Sequence, residues 1–193
     1  MNRRQREAIL LRLISQLRKE GSWAGETHVQ KATFFLQVLT RIPLEFSFVM
    51  YKYGPFSFEL RDDIASMRAD VLVDLELRPA PYGPSLVPTD RGKALTSRFP
   101  KTISRYYRHI QWIAKEIGSH TASHLETIGS ALYVLSSGDA LTKNGRAVQR
   151  ILSHKPHLSP EAAHEAILEA MKMQAAWGSY ASSEGISEAV SDS

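Results

Sequence analysis

The sequence predicts a mainly α-helical protein with a small β wing: a winged helix-turn-helix domain followed by an α-helical extension. Three observations carry this. Residues 57–69 read as a short helix. Two strand-like runs, 71–78 and 85–87, follow it and are split by a turn containing Pro81-Tyr82-Gly83-Pro84. Thr89-Asp90-Arg91-Gly92 then opens another helix. Helix, strand, tight turn, strand, helix is the element order of a winged helix.

The elements can be justified in chain order. Residues 3–19 place Ile9, Leu10, Leu13, Ile14 and Leu17 at helical spacing, and Gly21 stops that helix. Thr27 is a candidate cap for a helix over 28–40, with Val29, Ala32, Phe35, Leu36 and Leu39 on its apolar face and Pro43 beyond its end. Phe46, Phe48 and Met50 alternate with Ser47, Val49 and Tyr51, as a short strand does; Gly54-Pro55 reads as a turn. Ser57 caps the next helix, which buries Leu60, Ile64 and Met67. Val71, Val73, Leu75 and Leu77 alternate with Leu72, Asp74, Glu76 and Arg78, the pattern of a half-buried strand. Pro100 marks a hinge, and beyond it helices are expected over 102–117, 121–136, 142–153 and 160–174, with Ser159-Pro160 as an N-cap and N1 pair. Residues 1–99 are therefore expected as the winged-helix domain, 100–176 as the helical domain, and 177–193, rich in Ser, Glu, Ala and Gly, as a disordered tail.

Composition narrows the function classes. The 193 residues include no cysteine, which excludes disulfides and thiolate metal sites. No apolar run approaches the roughly 20 residues of a membrane span. The basic start, Met1 to Arg6, leads into an amphipathic pattern rather than an apolar signal segment, so a cytoplasmic protein is expected. Residues 1–155 hold 23 Lys and Arg against 14 Asp and Glu, whereas residues 159–193 hold one Lys and six acids. A basic body suits a polyanionic partner.

The run from Thr27 to Leu95 and the C-terminal half resemble a known family. Gln30-Lys31-Ala32-Thr33-Phe34-Phe35, Tyr53-Gly54-Pro55-Phe56, Leu60 and Thr89-Asp90-Arg91-Gly92 resemble the small YwgA-like prokaryotic proteins and, more distantly, the Panacea (SocA-like) antitoxin domain. Glu126-Thr127-Ile128-Gly129-Ser130-Ala131-Leu132-Tyr133 and Lys155-Pro156 resemble the second half of the YwgA-like proteins. The resemblance implies a helical, winged-helix-type protein without known catalytic residues. It also implies a role in bacterial regulation, toxin neutralisation or phage defence.

Two readings of function follow. In the first, the protein is a non-enzymatic DNA-binding regulator that contacts mainly phosphate. Its candidate contacts are Arg3, Arg4 and Arg6 on the first helix, and Arg91, Lys93, Arg98, Lys101, Arg105 and Arg108 further on. Lys101, Arg105 and Arg108 share one helical face. The helix 57–69 opposes this reading, because Glu59, Asp62 and Asp63 outweigh Arg61 and Arg68 there. In the second reading the protein is an adaptor or antitoxin-like neutraliser of a protein partner. Tyr53, Phe56, Phe58 and Tyr82 are its candidate contacts, and the small apolar residues of the C-terminal helix offer a homodimer contact.

Enzyme chemistry finds little support. His120 and His124 stand four apart, but Thr121 occupies the place of the metalloprotease Glu. His154, His157 and His164 lack a matched acid set. Glu59, Asp62 and Asp63 suit a helix start without catalysis. There is no phosphate-binding glycine loop and no nucleophile elbow, so no cofactor, metal or catalytic residue is expected.

Overall fold

A computed structural model describes residues 1–79, 83–137 and 146–186. Among these it contains eight helices and two short β-hairpins. The helices are α1 (Arg3–Lys19), α2 (Glu26–Thr40), α3 (Phe58–Ala69), α4 (Asp90–Ser97), α5 (Pro100–Ile117), α6 (Ala122–Ser136), α7 (Arg146–His154) and α8 (Pro160–Ser183). The strands are β1 (Val49–Tyr51), β2 (Gly54–Phe56), β3 (Val73–Glu76) and β4 (Ser85–Pro88). β1 pairs antiparallel with β2, and β3 pairs antiparallel with β4. The mainly helical expectation with a small β component is met.

Two helices form the centre. α1 starts with a capping box in which Asn2 and Gln5 bond each other's backbone N–H. It buries Ala8, Ile9, Leu10, Leu11, Leu13, Ile14 and Leu17, more than one face, because α4 and α5 pack on it and α2 and β4 also reach it. α2 is buried almost continuously from Val29 to Leu36. Its N-cap is Gly25 rather than Thr27, with no capping side chain.

The core is continuous across Pro100. α5 packs on α1 and α2, and α6 packs on α2 and β2. Residues before and after the expected domain boundary share one hydrophobic cluster, from Ile9 to Ala170. Pro100 is the N1 residue of α5, where its missing N–H costs nothing.

The β3–β4 hairpin closes by side-chain chemistry at Thr89. Its hydroxyl donates to the Val71 carbonyl at 2.6 Å and accepts the Gly92 N–H at 3.1 Å. A Cβ on residue 92 would stand 2.2 Å from the Leu72 carbonyl oxygen. The Thr-x-x-Gly phrase is thus a packing device. The strand is shorter than the alternation suggested: Val71 and Leu77 lie outside it and are exposed.

The expected tail is corrected at residues 177–186. α8 runs through Gly178 to Ser183. Trp177 and Tyr180 pack on Trp112 of α5, with ring centroids at 5.2 and 6.3 Å, and Trp177 also meets His109 at 5.1 Å. Arg108 pairs with Glu184 at the helix end. Residues 187–193 of the expected tail lie outside the described residues, as do 142–145 of the expected seventh helix and Gly138.

Two outcomes test this packing. Gly92→Ala is expected to cost at least the roughly 1–3 kcal/mol of overpacking, since its neighbour is backbone; denaturant midpoints measure it. Burial, with the Arg105 charge adding, pushes the His109 pKa down from 6.5 to about 4. The unfolded chain therefore takes up this proton first, and stability falls as pH drops from about 6.5 towards 4, by on the order of 3 kcal/mol. His109→Leu removes that component of the slope in urea titrations across the same window.

Candidate functional site: a clamped aromatic hairpin

The connection between α2 and α3 spans residues 41–57 and is held by three polar side chains of α2. Gln37 donates to the Phe46 carbonyl at 2.9 Å and accepts its N–H at 3.0 Å. Gln30 does the same for Ser57, at 2.9 and 3.0 Å. Each glutamine acts as a strand partner for one residue, satisfying backbone groups that a buried loop would leave bare. Phe46 therefore stays outside β1, although the alternation began there.

Between these clamps Lys31 Nζ donates to the Pro55 carbonyl at 2.8 Å. Lys31 is 1% exposed. Burial pushes its pKa down from 10.5 to about 8, against the attraction of Glu126. The side chain thus remains mainly protonated at neutral pH. Glu126 on α6 feels two ammonium groups: Lys155 Nζ lies 3.9 Å from its Oε2, and the Lys31 charge acts on it as well. Burial raises the Glu126 pKa and lowers that of Lys155. The half-buried Glu126 thus compensates the buried Lys31 and Lys155.

Gly54-Pro55 is not the turn. It forms β2, with Tyr51 opposite Gly54, Met50 opposite Pro55 and Val49 opposite Phe56; the turn is Lys52-Tyr53. Gly54 has φ +81°, and a Cβ there would come within 2.9 Å of the Glu126 carbonyl oxygen. On the other side, a Cβ on Gly129 would meet Pro55 at 3.4 Å. Glycine on each chain lets the hairpin lie directly on α6.

This seating turns an aromatic surface outward. Val49, Tyr51, Tyr53 and Phe58 are 43%, 55%, 55% and 44% exposed. Tyr51, Phe56 and Phe58 form a triangle of rings with centroid separations of 5.1 to 5.8 Å. Arg61 lies over Phe58 and Lys52 over Tyr53. The structure thus joins Phe56 and Phe58, with Tyr53 at the turn, and adds Tyr51, which sequence reasoning did not select. Tyr82 lies outside the described residues.

The basic residues divide into two groups. Arg3 and Arg4 both bond the buried Glu7, at 3.0 and 2.8 Å, and Arg4 reaches Asp70 as well. Arg6 faces Asp63 at 3.5 Å, Lys93 pairs with Asp90, and Arg108 pairs with Glu184. Arg91, Arg98, Lys101 and Arg105 are exposed on α4, α5 and their junction, with no acidic partner within ion-pair distance among the described residues. The acids of α3 are largely engaged: Asp63 with Arg6, Asp70 at its C-cap with Arg4, and Glu59 with the Ser47 N–H. Arg61 and Arg68 instead line a groove of about 800 Å³ between α3, the β3–β4 hairpin and the loops before α2 and α6.

No protein-family model matches the chain, and no curated protein matches it.

The clamp has a measurable weight. Lys31→Met leaves the Pro55 carbonyl without its donor and is expected to cost roughly 1–3 kcal/mol. Combining it with Glu126→Gln costs less than the two single changes together, because the groups share one site. Chemical denaturation of the four proteins measures this.

Proposed function

We propose that the chain is a non-enzymatic interaction module, of adaptor or antitoxin-like type, whose protein partner docks on the β1–β2 hairpin. The observation that carries this is the exposed cluster of Val49, Tyr51, Tyr53 and Phe58 on a hairpin held by buried polar clamps. Exposed aromatics cost little side-chain entropy to dock and are frequent anchors at interfaces. A preformed hairpin lowers the ordering cost further. Lys52 rims the patch with positive charge, while Arg61 over Phe58 is paired with Asp62 at 2.9 Å, which favours an apolar partner segment with an acid beside it.

A winged-helix origin fits this reading. α1, α2, α3 and the β3–β4 hairpin follow the winged-helix order. A helix-turn-helix joins its two helices through about 3–4 residues. Here residues 41–57 fill that place and carry the docking hairpin. The module is thus read as a winged-helix scaffold whose turn has grown into a contact surface. The resemblance to YwgA-like and Panacea proteins points the same way, since its motif residues Lys31, Gly54, Pro55, Gly129 and Lys155 belong to the clamp or its seat on α6.

Arg91, Arg98, Lys101 and Arg105, which have no acidic partner within ion-pair distance among the described residues, favour a second reading, contact with a nucleic-acid backbone.

The Tyr51→Ser/Phe58→Ser double variant keeps the clamp and is expected to fold. It should lose the partner captured by the wild-type chain from its source cells, with at least a roughly 30-fold drop in affinity. Equal capture by both proteins contradicts the reading. Fluorescence anisotropy on a random DNA duplex tests the second one. Salt-sensitive binding that disappears in the Arg98→Glu/Lys101→Glu/Arg105→Glu variant supports it; retention in that variant rejects the row.

A further inference from the structure

Three metal-ligating side chains converge beside the N-terminus of α6. His120 precedes the helix cap Thr121, His124 lies in the first turn, and Glu169 comes from the middle of α8. His124 Nε2 stands 3.0 Å from Glu169 Oε1. The His120 and His124 rings lie nearly parallel, with centroids 4.7 Å apart and planes at 17°. One ligating atom from each residue lies within 4.8 Å of the other two. Among the described residues this is the one such cluster, and it leaves His154, His157 and His164 aside.

The positions are fixed from behind. The His120 N–H donates to the Ile117 carbonyl at 3.1 Å, and its own carbonyl accepts His28 Nε2 at 2.8 Å. Thr121 Oγ1 accepts the His124 N–H at 3.2 Å, which locks the backbone between the two histidines. An ion pair between His124 and Glu169 explains one contact. It does not explain why a second imidazole is held against the first.

We propose that His120, His124 and Glu169 bind a divalent transition cation, with Zn²⁺ the best match. Two imidazole nitrogens and one carboxylate oxygen form a ligand set that zinc accepts. Tetrahedral bonds of roughly 2.0–2.2 Å place ligand atoms about 3.3 Å apart, so modest side-chain rotations close the present spacing. The ion replaces the proton or hydrogen bond that now joins His124 to Glu169. It ties α8 to the α5–α6 loop and to α6, across 45 residues of sequence. Three protein ligands leave at least one position for water or for a ligand donor. His120 also lines the groove beside α3, so such a donor can come from a molecule bound there. Nothing in this site depends on the hairpin patch.

Isothermal titration of the full-length chain with Zn²⁺ at neutral pH tests the proposal, with Co²⁺ absorption as a readout of ligand geometry. One saturable equivalent is expected, together with a rise in Tm that Mg²⁺ does not produce. His124→Ala and Glu169→Gln should each weaken binding by at least the roughly 10–100-fold that loss of an outer-shell partner costs. Circular dichroism confirms that the variants are folded, and the His154→Ala/His157→Ala/His164→Ala variant should bind like wild type. Absence of saturable binding overturns the proposal. So does undiminished binding in folded His124→Ala or Glu169→Gln, or loss of binding in the triple control.

Discussion

A buried ammonium group organises this structure. Lys31 donates to the Pro55 carbonyl from inside the core, and Glu126, which also pairs with Lys155, balances its charge. Withdrawing such charges from water costs several kcal/mol each, so the arrangement persists only because every group has a partner. Hydrophobic burial does not specify direction. The Lys31 bond does: it fixes one carbonyl of β2 at one height on α2. Gln30 and Gln37 fix the two ends of the same segment. The aromatic face then points outward because the backbone beneath it is anchored residue by residue.

α6 links this anchor to the rest of the molecule. Glu126 turns towards Lys155 and the Lys31 side, while His124, two residues earlier, meets Glu169 of α8. The first turns of one helix thus serve the hairpin and also fasten α8. α8 in turn closes over α5 through Trp177 and Tyr180. A molecule divided at Pro100 would lack this coupling. The continuous core makes the C-terminal helices part of the platform that carries the hairpin.

Much of the frame was legible in the sequence, for physical reasons. α1 announces itself by its period, and α3 and α4 by their caps, because Ser57 and Thr89 are polar residues with a local job. Gly54-Pro55 misled because both residues usually mark turns. Here Gly54 is needed for close approach to α6, and Pro55 offers a carbonyl to Lys31. The clamp was not legible: nothing local distinguishes a buried Lys31 from a solvated one. Tyr51 escaped for a related reason, since its partners Phe56 and Phe58 meet it only across the hairpin. The low-complexity composition after Gly178 suggested disorder, but two aromatic side chains were enough to continue α8. Charge totals do not show which basic residues of α1 and α4–α5 are paired, because partners such as Glu7, Asp63 and Glu184 are set by tertiary structure.

The most direct test of the clamp as the basis of the docking surface is amide hydrogen exchange over residues 46–57 in wild type and Lys31→Met. The account predicts faster exchange of this segment in the variant, with α1 and the α5–α8 contact still protected. Unchanged protection of the hairpin in a folded Lys31→Met protein would contradict it, because the aromatic surface would then be held in place without the buried ammonium.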